Sequence, residues 1–301
     1  MVNRFIKKLL WFIALNLLLA ILLLLVISIK GPNFRKTDEN TEASLAAIPF
    51  NRQFDFTILG TSHAREFTRS GNKPAVESIL NKRFWNLSKG FGHGGLISSI
   101  TAWDLFNERN NHAKKLVYFL DPWTLCYSIW NEENYFLEEE PLKWDILNNA
   151  IKNNASIPTI ANYIKSKFKP SYFMTKPLAN QRNNKLSDTF NASKADKQMK
   201  IYYPEAINPK VLDKYEQLFL AFTNALHKKG IELIVIIPPT LLNKEPGFEP
   251  IWKFVNTIKT IKVFDHSNTI RSPIYYYDIS HLNSNGIEYY TRNYLKPILA
   301  D

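Results

Sequence analysis

Residues Leu9 to Ile29 form an apolar run in which only Asn16 and Ser28 carry clearly polar side chains. Wound as an α-helix, that run is about 31 Å long, close to the hydrocarbon thickness of a bilayer. A cleaved signal peptide has a shorter apolar stretch and a small-residue cleavage site. Here the run is followed by Lys30, Gly31 and Pro32, and the pair Ala46-Ala47 lies too far downstream to serve. The sequence therefore predicts an uncleaved transmembrane anchor over residues 1–30. Arg4, Lys7 and Lys8 precede the span and Lys30, Arg35 and Lys36 follow it, so the positive-inside signal is nearly balanced. The N-terminal amine and the short leader favour a cytoplasmic N-terminus, which places the remaining chain in the periplasm or outside the cell.

Beyond the anchor the composition is that of an ordinary globular domain. Aromatic residues make up 14% and charged residues 22% of the 301, enough apolar material for a substantial core. The single cysteine, Cys126, excludes an intrachain disulfide and a cysteine-rich metal site, and reads as a small core residue. The net charge of +11 suits an anionic membrane surface or envelope polymer. No basic run is interleaved with aromatics, so nucleic acid is not an expected partner.

Residues 31–51 are polar and aperiodic and read as a linker, leaving one domain over 52–301. Short β-prone runs lie at Phe54–Leu59, Phe84–Leu87, Leu116–Leu120, Ile231–Ile237 and Val263-Phe264. Helical spacing appears at 97–106, from Leu212 to Gly230, at about 248–259, and from about Gly286 onward. Alternating strands and helices predict an α/β fold with a mostly parallel sheet. Residues 124–205 differ in texture. They are rich in Asn, Lys and Tyr, with two short helical patterns at 144–151 and 160–168, and read as a helical insertion.

In open parallel sheets, functional side chains collect beyond the carboxyl ends of the strands. Three such places carry suggestive residues: Gly60-Thr61-Ser62-His63, Asn86-Leu87-Ser88-Lys89-Gly90, and Asp278-Ile279-Ser280-His281. Each is weak alone, since a serine after a strand is an ordinary helix cap. Together they supply a nucleophile, a base and a carboxylate to fix the base's tautomer. The six histidines show no metalloprotease-type spacing, and Gly90 to Gly95 lacks the ending of a phosphate loop, so neither a metal nor another cofactor is expected.

In the order and placement of these three motifs, the chain resembles the SGNH (GDSL-like) hydrolase superfamily, and within it the membrane-anchored, DltD-like branch of envelope acyl-transfer proteins. The resemblance implies a three-layer sandwich over about residues 54–297. It also implies Ser62 as nucleophile, His281 as general base, Asp278 as orienting carboxylate, and the amides of Ser62 and Gly90 as oxyanion donors. His63, His93, Asp121 and Trp123 are candidates to line a substrate. One departure stands out. The family's third motif ends in an asparagine that donates to the oxyanion, whereas this chain has Asp121-Pro122-Trp123. The expected activity is that of a serine esterase or O-acyltransferase acting on an envelope polysaccharide, beside the membrane and a multi-span acyltransferase partner. The alternative is a non-catalytic glycan-binding or assembly subunit that keeps the fold.

Overall fold

The computed structural model describes residues 2–30, 44–89, 94–132, 136–138, 140–169, 192–242 and 245–300. It opens with a 29-residue helix, α1 (Val2–Lys30). The segment Arg4–Ile29 has a mean hydropathy of 3.0 and is long and apolar enough to cross a membrane. Nearly all its large side chains are exposed. Among the described residues, its last turns meet the rest of the chain: Ile27 is buried, Leu24 packs beside the core, and the Ser28 hydroxyl donates to the Leu142 carbonyl at 3.2 Å.

The five strands are β1 (Gln53–Gly60), β2 (Phe84–Asn86), β3 (His112–Phe119), β4 (Glu232–Ile237) and β5 (Ile261–Asp265). They form one parallel sheet in the order β2-β1-β3-β4-β5. Parallel neighbours need crossover connections, and helices supply them. These are α2 (Ser62–Arg65), α3 (Lys73–Leu80), α4 (Leu96–Glu108), α5 (Trp144–Lys152), α6 (Ile157–Ser166), α7 (Ala192–Tyr202), α8 (Pro209–Lys228) and α9 (Phe248–Thr257). The short helices α10 (Ser284–Tyr290) and α11 (Lys296–Leu299) follow the last strand, joined by a π turn at Thr291–Leu295.

The strand period of two sorts the core into two layers. Leu116 and Tyr118 of β3, with Leu233, Val235 and Ile237 of β4, face the side covered by α4, α8 and α9. Val117, Phe119, Ile234 and Ile236 face the side covered by α3, α10 and α11. Strand β4 is apolar on both faces because both faces are covered.

The sequence reading and the structure differ mainly at element ends. β3 begins four residues before Leu116. Its first residues pair with β1 from His112 onward, but pairing with β4 begins only at Lys115, so His112 and Lys114 stay solvated and no hydrophobic signal marks them. Helix α8 starts at Pro209 because the Asn208 side chain accepts from the Lys210 amide and the proline sits at the first position. Similarly, Asn283 accepts from the Gly286 amide and starts α10 two residues early. Helices α3 and α7 have no counterpart in the sequence reading. Between β3 and β4, the described residues are mainly turns and the helices α5 to α8.

The sheet's most crowded point is the end of β1. Gly60 has φ +138, and a Cβ there would lie 2.5 Å from the Phe119 carbonyl oxygen and 2.8 Å from the Ala64 Cβ. Glycine is required for both conformation and space. Gly60→Ala is expected to destabilise the protein by about 1–3 kcal/mol through overpacking, read as a lower melting temperature of the detergent-solubilised chain.

Candidate active site

The strand order reverses between β1 and β3, which lie side by side although β2 falls between them in sequence. At such a point the chain leaves adjacent strand ends in opposite directions and opens a crevice. Thr61-Ser62-His63 leave β1 there, and Asp121 follows β3 one residue after Leu120. The loop before α10 reaches the same place from the far end of the chain.

His281 Nε2 lies 2.6 Å from the Ser62 hydroxyl oxygen. On the other side of the ring, Nδ1 lies 2.8 Å from Asp278 Oδ2 and 3.1 Å from Oδ1. Oδ1 also accepts from the backbone amides of Ser280 (2.8 Å) and His281 (2.7 Å), so the Asp-x-x-His loop locks its own carboxylate. Burial alone would raise the Asp278 pKa, but the bond from His281 and these amides outweigh it and bring it to about 2. With Asp278 ionised, Nδ1 carries the imidazole proton and donates it to the carboxylate. Nε2 is then left to accept from Ser62, the arrangement a general base needs.

The base is held by its neighbours. The rings of His63 and Tyr277 lie nearly parallel to that of His281, with centroids 4.6 and 5.5 Å away. The Tyr277 hydroxyl donates to Glu66 at 2.9 Å and accepts from Arg69 at 3.2 Å, which ties the C-terminal loop to the segment after α2. Helix α2 itself has only four residues, so Ser62 opens a single turn rather than a long helix.

The other predicted residues divide. Gly90 and His93 lie outside the described residues. His63 and Asp121 stand together, their Nδ1 and Oδ1 2.7 Å apart, with side chains 8% and 4% exposed. The approach is off-line for a hydrogen bond and acts as an ion pair. The second oxygen of Asp121 accepts from the Thr61 hydroxyl. Burial opposes a charge on His63, but Asp121 overrides it and lifts the imidazole to about 9. Trp123 is a correction to the expectation of a substrate-lining residue. It is 1% exposed and packs between Tyr202 (centroids 5.1 Å, stacked) and Trp130 (4.8 Å, edge-on). Cys126 is buried among apolar side chains, which pushes its thiol up to about 12.

Beside His63 and Asp121, a cleft of about 910 Å³ runs over the ends of β4 and β5. Ile237, Pro238, Leu242 and Phe248 give it an apolar wall, while Glu245, Asp265 and Arg271 supply charges. Glu245 accepts from the Tyr203 hydroxyl at 2.8 Å, and burial raises its carboxyl to about 7. Among the described residues, no group of three or more His, Cys, Asp or Glu could hold a metal ion.

Sequence reasoning overlooked a second feature of the Ser88-Lys89 turn. Lys89 is buried and pairs with Glu140, which also accepts from the Ser44 hydroxyl at 2.5 Å and the Leu45 amide at 2.9 Å. Burial works against the charge on Glu140, yet Lys89 and these donors hold its carboxyl below the usual range. No local pattern marks this partnership, because the three segments are far apart in the chain. Asn86 stiffens the same turn: it donates to the Ala64 carbonyl at 2.8 Å and accepts from the Ser88 amide at 3.0 Å.

No family model matches the chain, and neither does any curated protein.

Two outcomes follow from this geometry. Glu140→Gln strands Lys89 in the interior and is expected to cost about 3–5 kcal/mol, measured by urea unfolding in detergent. Asp278 titrates lower in the folded chain than its ordinary 3.8, so the unfolded chain takes up its proton first. The stability it contributes is therefore complete above about pH 4 and is lost as the pH falls through about 2. The side chain is 42% exposed, so solvent screens the effect and keeps it modest. The gap in melting temperature between the parent and Asp278→Asn should narrow across that window.

Proposed function

We propose that this protein is a membrane-anchored serine esterase or O-acyltransferase that acts outside the cytoplasm on a cell-envelope glycan. The observation that carries the reading is the continuous relay from the Ser62 hydroxyl through His281 to Asp278, with contacts of 2.6 and 2.8 Å. A serine is a weak nucleophile until a base removes its proton, and an imidazole is a directed base only when its other nitrogen is held. The proposed course has two halves. Ser62 attacks the acyl carbon of a donor while His281 takes the hydroxyl proton. His281 then returns that proton to the leaving oxygen, which yields an acyl-serine. Water or a sugar hydroxyl, deprotonated by His281, attacks the acyl-serine and restores Ser62.

The family resemblance of the three motifs supports an SGNH-like sandwich of the DltD-like branch. On that reading, the helices between β3 and β4 are its helical insertion. A parallel sheet with the serine after its first strand and the Asp-x-x-His loop before its closing helices fits this reading. The apolar helix α1 supports the membrane address, and the contact of its last turns with Leu142 keeps the domain close to the bilayer surface. Lipid-linked or wall-linked glycans occupy that zone, and a multi-span acyltransferase is a fitting source of the acyl group. The N-terminus is placed in the cytoplasm on this account.

Ser62→Ala is expected to abolish labelling by a fluorophosphonate probe while leaving the melting temperature within a few degrees. Equal labelling of the parent and Ser62→Ala would remove Ser62 as nucleophile.

A further inference from the structure

We propose that His63 is a second catalytic histidine, whose Nε2–H donates to the carbonyl oxygen of the substrate as that oxygen becomes an oxyanion. This role rests on the acyl-transfer reading above. Three observations lead to it. First, the carboxylate of Asp121 stands at the end of β3 beside the nucleophile turn, and a carboxylate can accept but not donate. Left facing a developing oxyanion, it would oppose the reaction. Both its oxygens are engaged instead, one by Thr61 and one by Nδ1 of His63. Asp121 thus spends its charge in holding a cation next to the reacting atoms.

Second, that cation lies directly beside the Ser62–His281 relay. The His63 ring stacks at 4.6 Å on His281, whose Nε2 is 2.6 Å from the Ser62 oxygen. Third, Nε2 of His63 is buried and has no hydrogen-bond partner among the described residues, while the side chain borders the cleft. A buried polar nitrogen without a partner is an unusual expense, and a ligand oxygen supplies what the fold withholds. A charged donor also makes a shorter and stronger bond to an oxyanion than a neutral amide does.

The step balances without another reagent. The Ser62 oxygen bonds to the acyl carbon, its proton goes to His281, and the carbonyl electron pair moves onto oxygen. His63 keeps its proton and shares it with that oxygen. When the bond to the leaving oxygen breaks, the pair returns and the hydrogen bond relaxes. The charged or titratable groups facing His63 are Asp121 after β3, Glu245 before α9, and Asp278 with His281 in the C-terminal loop. His63 lifted to about 9 remains a donor at neutral pH and stops being one as the pH rises through that value.

The test uses the full chain in detergent with p-nitrophenyl acetate as substrate and a fluorophosphonate probe of Ser62. His63→Gln keeps a neutral donor. The double variant His63→Leu, Asp121→Leu removes the donor without stranding a carboxylate or adding an amide that could donate in its place. The double variant is expected to lose about 100-fold or more in kcat with little change in KM, and His63→Gln to lose less. The parent's kcat should fall on the alkaline side near pH 9, and that limb should be absent in His63→Gln. Both variants should still label at Ser62 on long incubation. A kcat within threefold of the parent in the double variant, or an unchanged alkaline limb in His63→Gln, overturns the role of His63 alone. A parent that neither labels nor turns over the ester removes the acyl-transfer reading, and this role with it. Should the double variant fail to fold, His63→Gln and its pH profile decide the question.

Discussion

A hydrogen bond between Ser62 and His281 joins residues 219 positions apart, and the geometry of the candidate site depends on that junction. Nothing local holds it. The serine is delivered by the end of β1, a central strand paired on both sides, and the histidine by a loop braced against the segment after α2 through Tyr277, Glu66 and Arg69. The loss of chain entropy in bringing such distant segments together is offset by the two core layers on either side of the sheet. The junction is therefore only as good as the sheet beneath it. This explains why Gly60, pressed against Phe119 and Ala64, admits no side chain.

Around this junction the chain builds two acid–base pairs. His281 with Asp278 is partly open, and its carboxylate is locked by loop amides. His63 with Asp121 is enclosed, and the close carboxylate keeps its imidazole charged against the opposing effect of burial. The two pairs differ in setting: the ring of His281 lies against the Ser62 hydroxyl, and that of His63 is shut in beside its carboxylate.

A second buried charge pair ties the site to the segment that follows α1. Glu140 gathers Lys89, from the turn after β2, together with Ser44 and Leu45, which fall within the expected linker but pack against the domain, Leu45 and Ile48 being buried. Nearby, Ser28 in the last turn of α1 donates to Leu142. Through this bond and the buried Ile27, the end of α1 packs against the domain. Burying two charges is costly, and the arrangement persists because the pair and its extra donors satisfy one another.

Much of this was legible in the sequence. Apolar runs marked β1, β2 and β4 closely, because the buried parts of a covered strand are apolar, but caught only the end of β3 and the middle of the half-exposed β5. Spacing marked α8, because one helix face must be buried. The Asp-x-x-His loop was recognisable because a single short turn presents both groups. The solvated start of β3 left no such pattern, and α3 was missed because its eight residues show only Val76 and Leu80 as a buried apolar pair, too short a period to mark a helix. What tertiary structure alone decided was partnership across distance. It turned Asp121 toward His63 and Thr61, buried Trp123 under Tyr202, and paired Lys89 with Glu140. Residue types and local periods follow from neighbours in the chain, but a buried side chain's partner is chosen by how sheets and helices pack, and that choice is written in no single stretch of sequence.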